Sequence, residues 1–332
     1  MSVVLRVGAP VDRPVVGTPA RRPVSVRRTA TTDIVGTDGA LHLVGRARDL
    51  ATHADGTATV LRSAATSTAV VDRCITEIDT APGATGPARL IGRRVGSGFR
   101  TALDEAIPAE RTARSPLFLL LDDVPVTALI SGYAVLVAAV ATPDRPRPAV
   151  GNGSTGICAG WAEGGTMTVQ LAAGGAQPVP GGPAEPELRG DDPLGWHEFA
   201  PLRPGSMRRH RRLDVVADPA DPSTLLVEAW FRDSFAPATG AATVLHEYDV
   251  SARVDLATGL VLAAGATPRV LPWPECPAAA GSAGRLVGAH VGDLRARLRA
   301  EFSGVTTCTH LTDALRSLED VAVLADDLSA AA

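Results

Sequence analysis

The stretch VTTCTHL places a thiol and an imidazole two positions apart, at Cys308 and His310, just where a helical pattern begins. A helix N-terminus favours an anion and disfavours a cation, so this placement is expected to lower the pKa of Cys308 and keep His310 neutral. A neutral imidazole accepts protons, which is general-base work. Thr306, Thr307 and Thr309 are the candidate caps. His246 and Glu247 lie in TVLHEYDV, which reads as a strand. Neighbours on a strand point to opposite faces, so only one of them can face a given pocket. Cys276, in WPECP, sits between two prolines and near Trp273, in a turn just before a helical block. Cys276, Cys308, His246 and His310 have atoms suited to tetrahedral zinc, but their spacing matches no zinc finger or ribbon, so no metal is expected. Arg232-Asp233 and Arg48-Asp49 read as ion pairs. Arg232 is also placed to hold an anionic substrate group, with Trp273 and Glu247 as further pocket residues. Gly151, Gly153 and Gly156 form a G-x-G-x-x-G pattern without a strand entering or a helix leaving it. That context does not fit a dinucleotide site, and no cofactor is expected.

Those residues need a scaffold. The chain has 332 residues, and 45% of them are hydrophobic, enough for two domains of ordinary size. All 32 basic residues are arginine. Lysine-dependent chemistry is thereby excluded: Schiff-base aldolases, lysine-linked pyridoxal enzymes, P-loop NTPases and standard protein kinases. The net charge of -4 argues against a nucleic-acid partner. Four scattered cysteines make no disulfide framework. The N-terminus lacks a signal-peptide pattern, and Val126 to Ala141 is short of a membrane span, so a soluble cytoplasmic protein is expected.

The same patterns occur twice, in the same order. Arg-Arg-x4-Asp occurs at Arg27, Arg28, Asp33 and at Arg208, Arg209, Asp214. Arg-Asp-x6-Gly-x-Ala-Thr-Val-Leu runs from Arg48 to Leu61 and from Arg232 to Leu245. Arg-Leu-Ile/Val-Gly-x-x-Val-Gly begins at Arg89 and at Arg285, and Leu-Asp/Glu-Asp-Val-x-Val at Leu121 and at Leu318. The offsets rise from 181 through 184 and 196 to 197, so few insertions separate the copies. Each copy reads as strands followed by helices. Leu311, Leu315, Leu318 and Ala322 keep helical spacing at the end of the second. The expected fold is α+β: two tandem copies of an antiparallel sheet packed under C-terminal helices, in a pseudo-twofold arrangement. The first copy spans 24–141, a Gly/Pro-rich connecting segment 142–206, and the second copy 207–326. Within the connection, PVPGGPAEPELRGDDP reads as linker, whereas ICAGWAEGGTMTVQL is expected to pack on one of the copies. At the respective offsets His246 matches Arg62, Cys276 matches Thr80, and Cys308 and His310 match Arg111 and Ala113. Shape is shared, and the reactive side chains are confined to the second copy.

Arg208/Arg209, His246/Glu247, Cys276/Pro277 and Cys308 to Leu311 together resemble an uncharacterised bacterial family, a domain of unknown function, over about Arg208 to Val323. Its members look associated with acyl-CoA, aromatic-acid and polyketide metabolism. The resemblance implies a small acyl or polyketide-like substrate, possibly on a carrier. The expected function is therefore a small-molecule enzyme working by general acid-base chemistry: a cyclase, lyase or isomerase. His310 would be the base, Cys308 an acid or orienting partner, His246 a second proton donor and Cys276 part of the wall. The alternatives are a Cys-His hydrolase and a non-catalytic binding protein whose Cys and His residues lie apart. Internal duplication makes a monomeric pseudo-dimer the expected state.

Overall fold

Long runs rich in Val, Thr and Ala build the strands, as β-branched side chains fit a pleated surface. The computed structural model describes residues 6–7, 11–36, 39–142, 155–174, 177–190 and 192–331; Gly151 and Gly153 of the glycine pattern lie outside them. The first half gives β1 (Ser25–Val35), β2 (Ala40–Thr52), β3 (Ala58–Val71) and β4 (Cys74–Ala81). The second half gives β5 (Met207–Asp218), β6 (Asp221–Phe235), β7 (Thr243–Asp255) and β8 (Val261–Leu271). With an edge strand, Val11–Asp12, they form one nine-stranded sheet in the order edge–β8–β7–β6–β5–β1–β2–β3–β4, every neighbour antiparallel. The fold is α+β, and the two strand sets merge through β1 and β5. There Arg27 lies opposite Asp214, and Arg208 opposite Asp33. Both pairs close as ion pairs, Arg27 Nε to Asp214 Oδ1 at 2.6 Å.

Helices follow each strand set. After β4 come α1 (Phe99–Ala106), α2 (Pro116–Asp122), α3 (Val124–Ile130) and α4 (Gly132–Ala141). Pro116 opens α2 behind the Ser115 cap, whose Oγ accepts from the Phe118 amide at 3.1 Å. After β8 come α5 (Leu294–Glu301) and α6 (Thr309–Ser317). Leu311, Leu315 and Leu318 are all buried, as their spacing predicts. The run 124–141 has a mean hydropathy of 2.1 and is long and apolar enough to cross a membrane, yet 44% of it is buried and it divides into α3 and α4 at Ser131.

All helices named so far lie on one face of the sheet. Under them runs a buried charge network that links the halves. Arg28 bonds Asp49 at 2.6 Å and Asp320 at 2.7 Å, Arg211 bonds Asp123 at 2.6 Å, and Asp122 takes Arg295 and Arg316. The repeated Leu-Asp/Glu-Asp-Val motif thus supplies Asp123 to a second-half strand and Asp320 to a first-half strand. The other face, at its centre, is covered by the connecting segment, which is irregular but packed. His197 sits between Thr29 and Thr31, and Trp196 forms a small core with Leu188 and Trp230. Proline and glycine deny this stretch regular structure, while its aromatic rings still demand burial. The earlier part of the connection docks on the second half through Ala159 and Met167.

Candidate functional site

The site starts from a bulge. Val244 pairs with Ser234 but His246 pairs with Asp233, so β7 carries one extra residue there. A bulge re-aims the side chains beside it. Leu245 turns into the first-half core, and His246 faces the helices beside Asp233. From the other side, α6 delivers His310 in its first turn. The two imidazoles stack, with centroids 3.8 Å apart and planes inclined by 16°.

Beneath the rings lies an ion pair closed to solvent. Arg209 Nε donates to Asp233 Oδ1 at 2.7 Å and Nη2 to Oδ2 at 3.1 Å. His246 Nδ1 lies 3.8 Å from Asp233 Oδ2, beyond hydrogen-bond range, and is buried without a partner among the described residues. His310 Nδ1 faces Thr309 Oγ1 at 3.4 Å and Cys308 Sγ at 3.8 Å. Burial, then the Arg209 charge, push His310 down to about 3. Burial, followed by His310, lowers His246 as well, against the pull of Asp233. Two imidazolium rings this close would repel, so the pair accommodates at most one proton. At neutral pH both rings are uncharged.

The thiol departs from expectation. Cys308 is itself the N-cap of α6, and none of the threonines holds that position. Burial pushes its thiol up to about 12, outweighing the pull of the nearby Leu311 and His310 amides toward thiolate. Cys276 is buried too and is likewise raised by burial. Both cysteines lie in the second-half core, beneath the His pair's strand, where the Tyr248 hydroxyl points to the Cys276 carbonyl at 3.5 Å. The structure thus brings together His310, His246 and Cys308, with Cys276 in the same buried core as Cys308.

The substrate-binding expectations need correction. Arg232 and Glu247 are completely buried on the opposite face of the sheet, bonded to each other at 2.9 Å, and Trp230 Nε1 also donates to Glu247. Arg232 does not pair with Asp233, because adjacent strand residues point apart. Trp273 is a core residue; a Cβ at Gly160 would meet its ring at 3.1 Å and the Cys276 sulfur at 2.9 Å. Sequence reasoning missed Arg209 and Asp233 as site members. The available signal was their recurrence: Arg28 and Asp49 make the same fork in the first half, at 2.6 and 2.7 Å. There Arg62, the match of His246, bonds Asp49 at 2.8 Å.

Asp233, His246 and His310 each offer a ligand atom within 4.8 Å of the others, the set best placed to hold a metal. Their arrangement suits tetrahedral zinc poorly. Zinc–nitrogen bonds of about 2.0–2.1 Å at a tetrahedral angle would hold the ring centroids roughly 5 Å apart. The rings here are face to face, and both Asp233 oxygens already serve Arg209.

Residues 207–324 match a family described as a protein of unknown function, DUF2889. The match covers about a third of the chain, from the start of β5 to beyond α6, and contains every residue of the His site. No curated protein and no solved structure matches the chain.

Proposed function

We propose that the chain is an internal duplication whose second copy is a general acid-base catalyst and whose first copy is scaffold. The substrate is an acyl or polyketide-like small molecule, possibly on a carrier, and the reaction a cyclisation, dehydration or isomerisation. The carrying observation is the stacked His246–His310 pair over an arginine-held carboxylate, where the first copy has Arg62 and Ala113. The duplication reading is supported by the mirrored Arg27–Asp214 and Arg208–Asp33 contacts and by the repeated Arg–Asp forks.

Such reactions remove a proton beside a carbonyl and return one elsewhere. With Nδ1–H turned to Thr309 or Cys308, His310 Nε2 accepts the substrate proton. The His310 imidazolium so formed returns that proton at the second position, while neutral His246 donates its ring N–H as a hydrogen bond to the substrate oxygen; the Asp233 carboxylate, 3.8 Å from His246 Nδ1, offsets the positive charge while it lasts. Cys308 acts as an orienting thiol and Cys276 as wall. A Cys-His hydrolase is disfavoured because its nucleophile must be a thiolate, and burial opposes that at Cys308. A purely binding protein gives no reason for the Cys and His residues to converge. The second reading, a metal-assisted reaction at Asp233, His246 and His310, is favoured only by their proximity.

The test is turnover of a panel of acyl thioesters and β-keto acyl compounds, followed by mass spectrometry. His310→Ala and His246→Ala should each lower kcat/KM by about 10²–10⁴-fold. Activity should survive chelation. Near-normal rates in both variants contradict the acid-base reading, and loss on chelation restored by zinc moves the assignment to the metal reading.

A further inference from the structure

The sheet face opposite the His pair carries an open cleft of about 540 Å³. Its floor is His210 on β5, whose ring is 3% exposed and whose two nitrogens both lack a hydrogen-bond partner among the described residues. Trp196, Phe199 and Trp230 surround that ring at centroid distances of 5.6, 5.3 and 6.3 Å. Glu185, held by the Ser234 hydroxyl at 2.7 Å, brings a carboxylate oxygen 4.0 Å from His210 Nδ1. A buried polar ring without partners costs free energy, so this one is poised for a group that arrives with the ligand. The walls combine prolines and apolar side chains, including Leu188 and Leu202, with the charged Glu187 and Arg208, and the prolines are rigid enough to keep the cleft preformed. At the rim the exposed Arg189 guanidinium lies 4.3 Å from the Phe199 ring centre and spends one nitrogen on the Phe199 carbonyl. Among the described residues its remaining donors make no hydrogen bond.

We propose that this cleft is a second ligand site, which takes a small hydroxylated aromatic carboxylic acid. Each part answers one feature. The apolar walls and the Phe199 ring take the carbon skeleton, and the volume suits a ligand of this size. A hydroxyl both donates and accepts, which is what a neutral imidazole beside a carboxyl group requires. Arg189 takes the carboxylate at the solvent edge. Burial, then the charges of Arg208 and Arg232, keep His210 uncharged. Burial also raises Glu185. The site is independent of the acid-base proposal, since the sheet stands between the two.

The experiment is calorimetric titration of the full chain with 4-hydroxybenzoate, with benzoate and phenol as comparators. Saturable binding is expected. Benzoate, lacking the hydroxyl, and phenol, lacking the carboxylate, should each bind about tenfold more weakly. Arg189→Ala, at an exposed position that does not threaten folding, and His210→Phe, which keeps the ring packing, should each weaken 4-hydroxybenzoate about tenfold. His310→Ala should leave the affinity unchanged. The proposal is overturned by the absence of saturable heat at millimolar ligand, by affinity indifferent to both cleft variants, or by binding lost in His310→Ala instead.

Discussion

Asp233 is the residue on which the candidate site rests. It is fully buried, and both oxygens are held by Arg209. Replacing it by asparagine leaves a buried guanidinium without its counter-charge, which costs far more than a surface ion pair. Asp233→Asn is expected to lose about 3–5 kcal/mol of unfolding free energy in urea titration. A loss below about 1 kcal/mol would mean that Arg209 finds other partners and that the carboxylate does not anchor the His pair. At this scale strand alternation made part of the site legible: His246 and Glu247 had to point apart, and they do. The thiol was misjudged because a helix N-terminus was weighed without burial, which sequence does not quantify. Arg232 was misjudged because its partner, Glu247, is a cross-strand neighbour 15 positions away.

At the level of elements, strand β7 and its bulge decide where His246 points. Gly182 of the connecting segment lies against this strand, where an added Cβ would stand 1.8 Å from the Val244 carbonyl oxygen. Backbone cannot yield as a side chain tip can. Gly182→Ala is therefore expected to destabilise by about 1–3 kcal/mol. Changed amide shifts from Val244 to Glu247 in an NMR spectrum should accompany it. An unperturbed spectrum with full stability would show that this contact does not fix the bulge. The strands and the leucine-striped α6 were readable from periodicity and turn residues. The merging of two strand sets into one sheet was not, since β1 and β5 pair across about 180 positions and local pattern carries no such information. The stretch PVPGGPAEPELRGDDP was read as linker for its Pro and Gly content, whereas Leu188 within it, with Trp196 and His197 just after it, packs as a cover for the sheet.

Across the whole molecule, buried charges bind the halves into one unit. Arg28 reaches Asp320, Arg295 reaches Asp122, and Met207, Phe235 and Leu245 enter the first-half core. Residues 1–206 and 207–332, expressed apart, should fail to give a cooperative unfolding transition, while the full chain unfolds in a single step. Independent folding of either piece would contradict that coupling. The same burial sets the response to acid. His197, like His310, is pushed down to about 3, chiefly by burial. The unfolded chain takes up these protons as pH falls below about 6.5, and the folded chain does not. The stability they contribute is complete above that value and is lost progressively toward pH 3. The central claim is that the fold holds two uncharged imidazoles against a charged Arg209–Asp233 pair. Its most direct test is the titration of His246 and His310 by NMR of histidine-labelled protein. Both rings should remain neutral from pH 7 to about pH 5; an ordinary midpoint near 6.5 at either ring would contradict the account.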